Sequence, residues 1–211
     1  RDYKNNGILQ NKAEADAYNA QYGTTSEPGD FRFVDVNGDN KITSDDRTNI
    51  GNGVPDWTFG LNFDAAWKGF DLSVFFQGVS GADVFDATYR QDVASGNYPT
   101  WVLQRWTGEG TSNTVPTLGK SENWVCSDMY IQDGSYLRLK NITLGYTLPR
   151  HFTQKINISR LRVYVRAENL FTWTKYWGFD PEIGSGSTSP GVDYGVYPQA
   201  RTCTVGFNVS L

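Results

Sequence analysis

Apolar and polar positions alternate along five stretches of this chain. Trp57, Phe59, Leu61, Phe63, Ala65 and Trp67 share one phase of a period of two, and Thr58, Gly60, Asn62, Asp64 and Ala66 share the other. Successive side chains of a strand point to opposite faces, so the pattern predicts a strand over about 57–67 with one apolar face. After Lys68-Gly69 the pattern resumes with Phe70, Leu72, Val74, Phe76 and Gly78. That predicts a hairpin and a second strand over about 70–79. A third strand is expected over about 135–148. Its apolar phase slips near Lys140, from Leu137 and Leu139 to Ile142, Leu144, Tyr146 and Leu148, as a bulge would cause. Leu161, Val163, Val165, Ala167, Phe171 and Trp173 mark a fourth strand over about 160–173, opposite Arg160, Arg162, Tyr164, Arg166 and Glu168. Cys203, Val205, Phe207, Val209 and Leu211 mark a last one over about 200–211.

The remaining segments carry other signals. Ile8 to Tyr22 holds the only helical pattern, ended by Gly23, and Gly29 to Val34 reads as a short strand. Residues 80–133 and 174–199 are rich in Gly, Ser, Thr, Asn and Asp and read as long irregular loops. The connections therefore run short (Lys68-Gly69), long (80–133), medium (149–159) and long (174–199). Outer-membrane barrels have this asymmetry, with short turns on the periplasmic side and long loops outside. About ten residues is also what a tilted strand needs to cross a bilayer. Trp57, Trp67, Phe70, Tyr146, Phe171 and Trp173 lie near strand ends, where an interfacial aromatic girdle would place them. The expected fold is all-β: antiparallel strands of a transmembrane β-barrel with long extracellular loops and one short N-terminal helix. Residues 1–56 form an outer loop region and 57–211 the strands. On this reading Arg162, Arg166 and Glu168 face the lumen. The alternative is a soluble, calcium-stabilised β-sandwich that binds carbohydrate, in which the same three residues lie on a solvated face.

Composition narrows these options. Aromatics are 15% of 211 residues and Gly numbers 22, a mix that favours strands and turns. Mean hydropathy is −0.51 and no run of 18 apolar residues exists, so no transmembrane helix is expected. Alternating strands average to a polar score, so a barrel is compatible with this. A net charge of −4 without a basic cluster argues against nucleic acid as a partner. Cys126 and Cys203 sit in unrelated contexts, and no disulfide framework is expected. The chain begins at Arg1, which reads as the middle of something longer, with any targeting segment upstream.

One stretch has the spacing of a calcium loop. Asp35, Asn37 and Asp39 would supply oxygens at positions 1, 3 and 5, Lys41 its carbonyl at 7, Thr43 a direct or water-bridged contact at 9, and Asp46 a carboxylate at 12. Position 6 is Asn40 where Gly is usual, and position 12 is Asp in place of Glu. The other reading is an Asp/Asn/Gly turn tied by side-chain-to-backbone bonds. No enzyme is expected. His151 has no serine or cysteine motif beside it, and Asp128 and Asp133 could form a carboxylate pair, although acidic residues of long loops are usually solvated. Loop aromatics Trp101, Trp106, Trp124, Tyr176, Trp177 and Tyr194 are candidates for contact with substrate or a lid.

Several stretches together resemble a known family. In order they are Ala13-Glu-Ala-Asp-Ala-Tyr18, Pro28-Gly-Asp-Phe-Arg-Phe-Val-Asp-Val-Asn-Gly-Asp39, Asp45-Asp-Arg47 leading to Ile50-Gly51, and Phe59-Gly-Leu-Asn62. Then come Trp67-Lys-Gly-Phe-Asp-Leu-Ser-Val-Phe-Phe-Gln-Gly78, Tyr136-Leu-Arg-Leu-Lys-Asn-Ile-Thr-Leu-Gly-Tyr-Thr-Leu-Pro149, Ala167-Glu-Asn-Leu-Phe-Thr172 and Tyr197-Pro-Gln-Ala-Arg201. With this order and spacing the chain resembles the C-terminal part of a SusC/RagA-type TonB-dependent transporter from the outer membrane of Bacteroidetes. The resemblance implies a large plugged barrel of 22 strands, a SusD-like lipoprotein lid, and import of oligosaccharides or peptides driven through TonB. The plug and the TonB-contacting segment would lie outside this chain. Leu211 departs from the aromatic ending usual in such barrels. The resemblance also places the calcium-like stretch in an outer loop, with Ca2+ the only cofactor to consider.

Overall fold

A computed structural model of the chain describes residues 1–88, 98–120, 123, 125–183 and 190–211. In chain order its elements are β1 (Asn5–Ile8), α1 (Lys12–Tyr22), β2 (Phe31–Phe33), β3 (Trp57–Trp67), β4 (Phe70–Ser80), β5 (Asp83–Asp86), β6 (Ile131–Asp133), β7 (Tyr136–Thr147), α2 (Arg150–Thr153), β8 (Arg160–Thr174), β9 (Val192–Asp193) and β10 (Thr202–Ser210). They fall into two compact units. One comprises Gly53–Asp83, Asp133–Gly191 and Gly195–Leu211, and the other Arg1–Asn52, Val84–Gln132 and Val192–Tyr194.

The first of these units is built on the alternating stretches. Its strands form one antiparallel sheet in the order β10-β8-β7-β4-β3. The β3–β4 hairpin pairs Trp67 with Phe70. Its two turn residues, Lys68 (φ 46°) and Gly69 (φ 89°), are both left-handed, as a two-residue turn between twisted strands requires. The expected slip in β7 is a bulge. Phe75 pairs with Asn141 and Phe76 with Leu139, which leaves Lys140 as the extra residue. The neighbouring β8 absorbs the offset at Asn169 (φ 52°) and Leu170. The main apolar phase consequently stays on one face through all five strands, with Phe75 and Val79 of β4 as exceptions on the other.

That face is uncovered: Trp57 is 73% exposed, Leu61 62% and Phe207 73%. A sandwich would bury it under a second sheet, so the soluble-sandwich alternative does not hold. Its aromatics form two belts. Trp67, Phe70 and Tyr146 lie at the hairpin-turn end, the last two with ring centroids 4.5 Å apart, and Trp57 and Trp173 lie toward the other end, with Phe171 two residues further in, in the row of Leu61. Ten strand steps of about 3.3 Å at a tilt of about 40° separate the belts by roughly 25 Å, the height of the apolar band of an outer-membrane barrel. The sheet is open, not a closed barrel; the edges of β3 and β10 have no strand partner among the described residues.

The other unit corrects two expectations. Residues 80–133 are not merely a loop: β5 and β6 lie within them, and most of the segment packs with residues 1–52. In the small sheet β6-β5-β9, the β5 and β9 strands run parallel. The helix begins at Lys12, four residues later than expected. Ile8 is consumed in pairing with Phe31, and the Asn11 side chain caps the helix by accepting from Glu14 N at 3.0 Å. Gly23 (φ 67°) closes it. Leu9, Ala15 and Tyr18 form its buried core, with Tyr22 and Ile42 against them.

Candidate functional site

Opposite the aromatic belts, the sheet presents a polar face built by the second phase of each strand. Register places Arg162 between Thr147 and Asn208, Arg166 between Thr143 and Thr204, and Glu168 between Asn141 and Thr202. The three residues expected to share a face do share it. Arg162 crosses β7 to grip Asp71 of β4 as a fork, with Nε donating to Oδ1 at 2.9 Å and Nη2 to Oδ2 at 2.5 Å. The fork passes directly over Gly145. A Cβ there would lie 2.6 Å from both Arg162 Nε and Asp71 Oδ1. Arg162 also covers the Tyr164 ring at 5.0 Å, and Arg166 pairs with Glu168 at 2.5 Å.

A second ionic group on this face went unanticipated. Arg138, 2% exposed, follows the polar phase of β7 before the bulge. Its Nε donates to Thr172 Oγ1 (2.9 Å), Nη1 to Glu182 Oε2 (2.7 Å) and Nη2 to Asp180 Oδ1 (2.5 Å). Lys140 Nζ donates to both oxygens of Glu182, at 2.8 and 2.7 Å. The sequence did hold a signal: two cations two residues apart, and two carboxylates two residues apart in a loop. Without the bulge geometry nothing joined the pairs.

The calcium-like loop closes on itself. Asp35 accepts from Gly38 N (2.7 Å) and Asn40 N (2.9 Å), Asn37 from Asp39 N (2.9 Å), and Asp39 from Lys41 N (2.9 Å). Asp46 accepts from Val36 N (2.9 Å) and Thr43 N (2.7 Å), completing a reciprocal cap with Thr43. Among the described residues, no three His, Cys, Asp or Glu side chains converge as a metal centre. Asn40 is left-handed (φ 60°), as position 6 of such a loop demands.

The loop aromatics divide by exposure. Tyr176 is 5% exposed and packs on Gly178, and Trp106 packs on Gly29 with its Nε1 donating to Gln10 Oε1 at 3.3 Å. Trp101 is half-buried, and Trp124 lies outside the described residues. Trp177 and Tyr194 are open, as are Phe179 and Tyr197, which sequence reasoning passed over. The first-fold unit aside, a cleft of about 620 Å³ lies within the helix-bearing unit, lined by Tyr18, Ser26, Asp30, Phe33 and Lys120 among others. Its charges are already paired. Lys120 bridges Glu27 (2.5 Å) and Asp30 (3.2 Å), and its hydrogen bond holds the Glu27 carboxyl below the usual range. Tyr18 donates to Phe33 O at 2.9 Å, and burial pushes its phenol up to about 12. His151 stacks on Phe152, while Asp128 and Asp133 accept from Asn5 N and Ser135 N.

An uncovered apolar face between two aromatic belts, backed by a polar face, defines the wall of an outer-membrane β-barrel. No family model matches the chain. It is 38% identical over 195 residues to TonB-dependent receptor P3 of Formosa agariphila, covering 88% of this chain and 19% of that protein. It is 31% identical over 199 residues to TonB-dependent receptor SusC of Bacteroides thetaiotaomicron, covering 92% and 19%. The RagAB peptide importer in its open-open state superposes with a TM-score of 0.74 at 27% identity, covering 99% of this chain and 22% of that one. The chain thus belongs to the SusC/RagA group of TonB-dependent receptors, proteins of the outer membrane, and spans about one fifth of the length of the relatives it matches.

Proposed function

We propose that the chain supplies five wall strands and outer-loop structure to a TonB-dependent importer of nutrients, acting by binding and passage rather than chemistry. The observation that carries this is the uncovered apolar face bounded by aromatic belts roughly 25 Å apart. The polar face with Arg162, Arg166 and Glu168 then lines the lumen, and the open edges of β3 and β10 join the remaining strands of the barrel. The partners on this reading are a SusD-like lipoprotein lid, TonB through another part of the protein, and a peptide or oligosaccharide substrate. The relationship to a peptide importer favours peptides. Trp177 and Tyr194 are the earlier candidates open enough to touch substrate or lid. Calcium at Asp35, Asn37, Asp39, the Lys41 carbonyl, Thr43 and Asp46 is part of the proposal; the spacing supports it, and the ion would add to a turn already closed by its own bonds.

Thiol labelling of the whole receptor in its membrane tests the assignment of faces. In a background lacking Cys126, native Cys203 on the apolar face stays unlabelled by a membrane-impermeant maleimide. Thr204→Cys, with Cys203 replaced by Ser, becomes labelled. Labelling of Cys203 and protection of position 204 would reverse the assignment and remove the proposal.

A further inference from the structure

Asp180 stands where three segments meet. Its Oδ1 accepts from Arg138 Nη2 in the wall and from Glu182 N (2.8 Å) in its own loop, while Oδ2 accepts from Gln199 N (2.8 Å) in the segment entering β10. The Asp180 and Arg138 side chains are 5% and 3% exposed. Every guanidinium nitrogen of Arg138 has an acceptor, and the group lies 5.6 Å from the Tyr136 ring. Lys140, set by the bulge, adds a second cation against Glu182. A buried, fully paired ionic cluster has one geometry that satisfies it, and losing either partner strands the other. Flanking the cluster, Phe179 is 75% exposed, Trp177 56% and Tyr197 87%. Exposed aromatics on an unrestrained loop would sample many orientations; here Asp180, next to Phe179 and three residues from Trp177, joins Arg138 of the wall to the backbone at Glu182 and at Gln199, two residues from Tyr197.

We infer that Arg138 is a positioning residue of the transporter: through Asp180 and Glu182 it fixes the loop carrying Trp177 and Phe179, and the segment carrying Tyr197, as a preformed contact surface for the imported solute. The gain from such a surface is preorganisation, since loop ordering is completed before the solute arrives. This rests on the import reading above.

The test uses the full-length receptor in outer-membrane vesicles, with Cys126 replaced by Ser. One protein has Cys203 replaced by Ser and carries a nitroxide at Phe179→Cys; a second carries it at native Cys203 as a monitor of the wall. Electron paramagnetic resonance should show an ordered label at both sites. Arg138→Gln should shorten the correlation time at position 179 by about threefold or more and leave position 203 unchanged. Asp180→Ala, a substitution outside the wall strands, should do the same. A label at 179 that is mobile with Arg138 present, or that stays ordered in both variants, overturns the inference. Uptake of a tryptic peptide mixture, followed by mass spectrometry without labels, supplies the second readout. Arg138→Gln should raise the half-saturating concentration about tenfold with maximal rate within about twofold. A mobilised loop with unchanged half-saturation would show that the pin serves no binding, and also overturns the inference. Should the parent receptor import no peptide, the peptide reading fails while the resonance result still decides the pin.

Discussion

Asp46 has no solvent exposure, yet its carboxylate is the centre of the loop around it. It accepts from Val36 N and Thr43 N, with a longer contact from Asn37 N at 3.5 Å. Burial alone would push the carboxyl up; the N–H groups of Thr43, Val36 and Asn37 outweigh it and hold the carboxyl below its ordinary range. A depressed folded value means the stabilisation is complete above the unfolded value and is lost as pH falls through the folded one, below about pH 4. Asp46→Ala removes the shared acceptor of the part-buried Val36 and Thr43 N–H groups and should cost about 1–2 kcal/mol, read as a fall in the melting temperature of the purified receptor. The fall should be the same in EDTA if the loop is self-tied; a melting temperature that rises with millimolar calcium in the parent, and not in the variant, assigns the ion. Spacing alone separates these two readings poorly, because oxygens that ligate calcium are the same oxygens that cap turns. Tyr176 shows the same limit for aromatics. Its burial on Gly178 is invisible in a sequence that reads only as a loop.

Strands of the wall were legible to within one or two residues, because a period of two is imposed wherever one face meets lipid and the other water. In the helix-bearing unit the end of α1 at Gly23 and the short strand β2 were legible, and β1, β5 and β6 were not. β5 and β6 are four and three residues long, too short to display a period, and β5 pairs with the distant Val192-Asp193. The start of α1 was misplaced because Ile8 and Leu9, both buried, fit a helical face as well as a strand. Within the wall, Gly145 interrupts the polar phase for a reason only the register reveals: Arg162 needs the space above it to reach Asp71. Gly145→Ala should therefore break the fork while leaving strand pairing in place. The expected loss is about 1–3 kcal/mol, measured as a lower urea midpoint for the folded, heat-modifiable band of the receptor. Asp71→Asn together with Arg162→Gln should make the Gly145→Ala change nearly neutral, since the clash is with that pair.

At the scale of the whole molecule, the division of the sheet into lipid and lumen faces decides everything else, and neighbouring residues of one strand can test it. Leu61 and Asn62 sit near the middle of β3, opposite Phe76 and Phe75. They differ by one residue in depth and by half a turn of the strand in direction. Leu61→Arg directs a guanidinium into hydrocarbon near the bilayer midplane, where it should cost about 2–4 kcal/mol, read as loss of folded receptor in the membrane. Asn62→Arg places the same group opposite Phe75, beside Asp64 and diagonal to Gln77 and Ser73 on the polar face, and should leave folded levels unchanged. Expression, size and strand propensity are nearly matched, so the difference reports the face alone. Equal damage from both would mean that neither side of the sheet is a water-filled lumen. Reversed damage would put lipid against Arg162 and Arg166, where a bilayer offers no partner for their charge. Only the expected order is consistent with a wall whose apolar side is wide open and whose ionic side is tied together across β4, β7 and β8.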